Sequence, residues 1–144
     1  MGRSKGEFNT KIHAKSDKCG NLIGFAFTGG EVSDCPHFAV LLDIGPDIKP
    51  RAAIGDKGYS CKANRDAART RGIVPIIPYK SNEKNQPKSF AKTLYKSRAR
   101  IEQGFGKLKR FKRVALRCEK TECNYRSIVS IAAGLCLIKF VHMA

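Results

Sequence analysis

Short apolar segments alternate with helix-length ones, and glycine, proline and polar punctuation separates them. That alternation restricts this chain to a layered α/β fold. Thr10 to Ser16 reads as a strand with Ile12 and Ala14 on one face, and Asn21 to Thr28 as its hairpin partner across Asp17-Lys18-Cys19-Gly20. Phe25 and Phe27 share one side of the second strand and are expected in the core. Ser33-Asp34 is placed to open a helix whose apolar side holds Phe38, Leu41 and Leu42, and Gly45-Pro46 stops it. Ala52-Ala53-Ile54 is a further strand, Ser60 to Gly72 a helix, Ile73 to Pro78 a strand whose prolines mark an edge or a strand end, and Tyr79 to Lys88 a polar, mobile loop. A long helix is predicted from Phe90 to Leu116, and an apolar one from Tyr125 to Val141. This order predicts helices flanking one mixed sheet, antiparallel at its start and parallel where helices cross over.

Charge narrows the function classes. The chain has 144 residues, one domain or part of one, with a formal net charge of +16. Residues 57–126 carry twenty basic residues against five acidic ones, whereas residues 1–56 carry seven of each. A surface of that sign predicts a polyanionic partner, nucleic acid before membrane. The longest apolar run, Ile128 to Ile138, is too short to span a bilayer and ends at Lys139, so no membrane role is expected. Cys19, Cys35, Cys61, Cys118, Cys123 and Cys136 form no CxxC pair, and the absence of an export signal predicts a cytoplasmic protein with reduced thiols. His13 is read as a strand-face residue rather than a ligand.

Two segments hold the chemistry. Tyr95, Arg98, Glu102 and Lys109 fall within about 60° of arc on a straight α-helix, giving one stripe with a carboxylate, two cations and a phenol. Taken alone, that stripe is equally a solvated charged face. Asp56 ends the apolar Ala52 to Ile54 segment between Gly55 and Gly58, where α/β folds place reactive groups; taken alone, it is equally a turn-forming residue.

Together the segments resemble bacterial insertion-sequence transposases of the DDE type, in the branch marked by a Tyr-x2-Arg-x3-Glu-x6-Lys signature. Tyr95, Arg98, Glu102 and Lys109 match that signature; Ile54-Gly55-Asp56-Lys57-Gly58-Tyr59 is similar to the strand end bearing the second catalytic aspartate. Gly2-Arg3-Ser4-Lys5-Gly6 through Thr10-Lys11-Ile12-His13-Ala14 is similar to a further family stretch, in family order. The resemblance implies a ribonuclease-H-like mixed sheet flanked by helices and DNA transposition by metal-dependent strand cleavage and transfer. It implies Asp56 and Glu102 as catalytic ligands of Mg²⁺ or Mn²⁺, and DNA, both element ends and target, as partner. Paired divalent ions held by carboxylates from separate elements suit phosphodiester chemistry. DNA-binding roles are implied for Tyr95, Arg98 and Lys109. Lys57, beside the aspartate, is expected to add a phosphate contact, and the cluster containing Lys107, Lys109, Arg110 and Arg113 predicts salt-sensitive phosphate binding.

The family uses a third acid, on a strand preceding the Gly-Arg-Ser stretch, and only Met1 precedes Gly2 here. Residues 1–144 are therefore expected to form a single partial catalytic domain that lacks the first strand and first Asp. That strand's place beside residues 11–16 is expected to be an open edge. The chain alone is expected to lack full catalysis and to work with an upstream transposase segment or as a homo-oligomer, near the nucleoid. The competing class is a non-catalytic basic nucleic-acid-binding module whose acids are structural.

Overall fold

A computed structural model describes residues 10–84 and 86–143; the Gly2 to Gly6 part of the resemblance lies outside them. Strand β1 (Thr10–Ser16) pairs antiparallel with β2 (Leu22–Gly29), Ile12 opposite Phe27 and Ala14 opposite Phe25. Asp17 closes the turn by accepting the amides of Cys19 and Asn21 at 2.8 Å each, and Gly20 takes φ +84°. Helix α1 (His37–Asp43) follows, then β3 (Ala52–Ile54), α2 (Lys62–Thr70) and β4 (Val74–Ile76). The strands β3 and β4 are parallel, Ala52 against Val74 and Ile54 against Ile76. The chain continues as α3 (Lys92–Tyr95), a 3-10 turn at Lys96–Arg98, α4 (Ala99–Leu108), α5 (Lys112–Ala115) and α6 (Glu122–Met143).

Two apolar cores result. Leu22, Leu108, Val114, Tyr125, Val129, Ala132 and Ala133 form the first, with Ile12, Phe25, Phe27 and Phe111 packed against them. Phe38, Ala68, Ile73 and Ile77 form the second, with Leu42, Ala53 and Tyr59 against them. The expected single mixed sheet is corrected to two two-stranded sheets: among the described residues no strand joins β1 to β3, and each pairs on one side only.

The predicted long helix is also corrected. Counting from buried Leu108 at about 100° per residue, a straight helix would carry Phe111 only about 60° round but Val114 about 120° away. Both pack in the first core, so the chain breaks: Phe111 turns extended (φ −79°, ψ 109°) and α5 restarts after it. Leu116, the last residue of the predicted helix, is exposed. Helix α1 starts at His37 rather than at Ser33-Asp34, because the Asp34 carboxylate is drawn to Lys11 Nζ at 3.0 Å. Helix α2 starts after Cys61, because the Ser60 hydroxyl is taken by Arg65 (2.7 Å) and Glu83.

The segment read as a mobile loop is anchored through the same group. Glu83 accepts from Ser60, from Arg65 Nη1 at 2.9 Å and from the Lys80 amide at 3.0 Å, while the Arg65 guanidinium lies 3.6 Å over the Tyr79 ring. Helix α6 is long and apolar enough to cross a bilayer by length and composition, a property shared with core helices of soluble proteins. Its Tyr125, Val129, Ala132 and Ala133 pack into the first core, and the Tyr125 hydroxyl donates to the Val114 carbonyl at 3.1 Å.

Candidate active site

Asp56 owes its position to the end of β3. The Gly55 amide continues the ladder to the Ile76 carbonyl at 3.1 Å, and a Cβ on Gly55 would press on Ile77 and Phe38 at 3.1 and 3.2 Å. The chain then turns into a 3-10 turn, Lys57–Tyr59, which Asp56 caps by accepting the Lys57 amide on Oδ1 at 2.7 Å. The turn-forming reading of Asp56 therefore holds, and it leaves Oδ2 free to face elsewhere. Oδ2 lies 3.5 Å from Arg98 Nη2.

Glu102 sits in the first turn of α4, one helical turn beyond Arg98, and its Oε1 is 2.8 Å from the same Nη2. A single guanidinium nitrogen thus touches two carboxylates that are distant in the chain. All three side chains reach solvent, at 53% for Asp56, 59% for Glu102 and 38% for Arg98. The close approach of α4 depends on small residues. A Cβ on Gly104 would stand 2.5 Å from the Gly20 carbonyl oxygen, and one on Gly20 would stand 2.5 Å from that of Arg100.

Behind the Asp56 turn lies a polar support that periodicity and motif reading missed. Tyr59 closes the turn. Its hydroxyl is 3.0 Å from His13 Nδ1, and its carbonyl accepts from Asn64 Nδ2 at 2.8 Å. His13 Nε2 is 3.0 Å from the Thr28 hydroxyl, and the His13 ring stacks on His37 with centroids 4.7 Å apart. His13 is thus a buried strand-face residue, 3% exposed, as its position in β1 suggested, but fully engaged. Burial first, then the neighbouring His37 and Lys11, hold its imidazole below the ordinary histidine value against the opposing pull of Asp34. Burial, reinforced by the Asp34 and Asp56 carboxylates, pushes the Tyr59 phenol up to about 12. The signal available in the sequence was one imidazole on the strand face opposite Ile12 and Ala14, between Lys11 and Lys15.

The remaining predicted residues are spread over the surface. Lys57 is exposed beside Asp56, and Lys107, Lys109 and Arg110 are exposed at and just beyond the end of α4. Because α4 ends at Leu108, Lys109 is its cap rather than a member of one continuous stripe. Tyr95 lies edge-on to Phe90, centroids 5.4 Å apart. Arg113 is engaged by Glu119, Nε to Oε1 2.8 Å. The structure thus brings together Asp56, Arg98 and Glu102.

Among the described residues no group of three or more His, Cys, Asp or Glu side chains is placed to hold a metal ion. Asp56 and Glu102 nonetheless fit a hard divalent cation as a two-carboxylate set, since their oxygens already converge on one cationic centre, the Arg98 guanidinium.

Comparison with known proteins bears on what this arrangement serves. A Brucella ovis protein named as a transposase for insertion sequence element IS6501 is 32% identical over 137 residues, covering 88% of this chain and 95% of that protein. A Burkholderia cepacia protein named as a transposase for insertion sequence element IS402 is 28% identical over 138 residues, covering 90% of this chain and 62% of that protein. No solved structure matches. The family model described as the transposase DDE domain matches residues 1–137, so this chain belongs to the DDE transposases of bacterial insertion sequences.

Proposed function

We propose that this chain is a partial catalytic domain of an insertion-sequence transposase, in which Asp56 and Glu102 are two of the metal-holding acids of DNA strand cleavage and transfer. The observation that carries this reading is the convergence of both carboxylates on one guanidinium nitrogen. Carboxylates of separate elements facing one point are what a divalent-ion site in phosphodiester chemistry requires. Bound there, Mg²⁺ or Mn²⁺ would polarise the phosphodiester and favour ionisation of the attacking hydroxyl. The chain's own residues do the rest. Asp56 is fixed by its turn, Glu102 by α4, and Arg98, Lys57, Lys107, Lys109, Arg110 and Arg113 supply charge for the DNA backbone, with Tyr95 beside them. Among the described residues β1 pairs on one side only, which supports docking of a strand from an upstream transposase segment that would bring the third acid.

Calorimetric titration with Mn²⁺ tests the site. Asp56→Asn and Glu102→Gln should each abolish binding by the folded chain while non-specific duplex binding persists. Mn²⁺ binding that survives both substitutions would instead favour the basic binding module with structural acids. Metal-dependent strand transfer by the purified 144-residue chain alone would refute its partial character.

A further inference from the structure

We propose that Arg98 is an exchangeable counter-ion: it neutralises Asp56 and Glu102 when no metal is bound, and a divalent cation at the two carboxylates releases it to a DNA phosphodiester. The inference rests on the reading of Asp56 and Glu102 as metal ligands and adds what holds that site in its absence, and how loading is passed to DNA.

Arg98 Nη2 stands 3.5 Å from Asp56 and 2.8 Å from Glu102, at the point both carboxylates face. With that point empty of charge the two acids would repel each other; the guanidinium removes the repulsion. The contact is also easily broken. All three groups are more than a third exposed, and ion pairs of that exposure are weak and salt-screened. A dication attracts both carboxylates more strongly than a guanidinium does and displaces it. Arg98 ends the 3-10 turn Lys96–Arg98, next to the basic α4 region, so the released fork stays within a cationic surface. Its planar donors suit a phosphate as well as they suit a carboxylate. Linkage then makes the effect reciprocal: metal loading raises DNA affinity, and DNA raises metal affinity.

The rival role for Arg98, a scaffold that merely gathers the acids, predicts the opposite sign on its removal. Mn²⁺ titration of the folded chain decides between them. Arg98→Gln, which removes the competing charge, should bind Mn²⁺ about tenfold tighter than wild type. Arg98→Lys, which keeps a point charge without the fork, should stay within about threefold of it. Fluorescence anisotropy with a short duplex, with and without Mn²⁺, should show a gain in affinity in wild type relative to Arg98→Gln. That difference is free of the general weakening that dications cause by competing for the DNA backbone.

Equal or weaker Mn²⁺ binding by Arg98→Gln overturns the exchange while leaving the ligand reading intact. Wild-type Mn²⁺ binding that Asp56→Asn and Glu102→Gln leave unchanged overturns the ligand reading and the exchange together. Should Arg98→Gln fail to fold by circular dichroism, Arg98→Lys replaces it in the anisotropy comparison. Wild-type coupling no larger than that of Arg98→Lys then overturns the proposal.

Discussion

Glu83→Ala is expected to destabilise the fold although Glu83 lies in a polar surface segment. Arg65, its partner, is only 6% exposed, and Glu83 itself is 23% exposed. The substitution removes the 2.9 Å ion pair and the acceptors of the Ser60 hydroxyl and the Lys80 amide. It leaves a buried guanidinium with Ser60 Oγ at 2.7 Å and two carbonyls, Ile77 and Pro78, at a long 3.4 Å. Removing one partner of a buried pair costs about 3–5 kcal/mol. The partial exposure of Glu83 and the Tyr79 ring beneath Arg65 reduce that to about 2–3 kcal/mol. In urea, with a slope of about 2 kcal/mol/M, the midpoint should fall by about 1–1.5 M. A double variant with Arg65→Met should lose less than the sum of the single losses, because no charge is then stranded.

The same group predicts a pH response. The Ser60 hydroxyl first, then the Lys80 amide and Arg65, hold the Glu83 carboxyl below its ordinary 4.5. Its stabilisation is therefore complete above that value and fades as pH falls through the lower folded value. Glu83→Gln should flatten that acid limb. A midpoint change under about 0.3 M for Glu83→Ala would refute the anchoring role.

Glycines two residues apart in α4 should respond with opposite signs in thermal unfolding. Gly104→Ala forces a Cβ to within 2.5 Å of the Gly20 carbonyl oxygen and should cost about 1–2 kcal/mol net, whereas Gly106→Ala meets nothing within 4 Å and should gain about 0.5–1 kcal/mol of helix propensity. His13, held low by burial and by His37, leaves the unfolded chain binding more protons, so its contribution is full above pH 6.5 and declines as pH drops toward its folded value; His13→Gln should remove that slope from stability measured between pH 5 and 7. Tyr59→Phe should cost about 1 kcal/mol in urea unfolding by leaving His13 Nδ1 without its 3.0 Å partner.

The hairpin was legible because its determinants are local: alternating residues and a turn with Asp17 and Gly20 suffice to place it. Asp56 and Glu102 were legible as candidates through the resemblance to DDE transposases; their positions alone, a strand end and a helix face, left each equally a turn residue or part of a charged face. What escaped the sequence depends on distant partners. Ser60 looks like a helix cap until its hydroxyl is seen to donate to Glu83 and accept from Arg65. The break at Phe111 arises because the core that holds Leu108 also claims Val114, about 120° round a straight helix from it. His13 gave no sign of its link to Tyr59, since that link joins β1 to the turn after β3.

Polar side chains link the elements of the two cores. Lys15 reaches the Leu42 and Ile44 carbonyls, His13 reaches Tyr59, and Arg98 reaches Asp56. Asp56 follows β3, whose Ala53 packs on the second core, and Glu102 lies on α4, whose Leu108 belongs to the first. The spacing of the acids therefore depends on how the two cores are held together, and substitutions in these polar links are expected to alter it without touching either carboxylate.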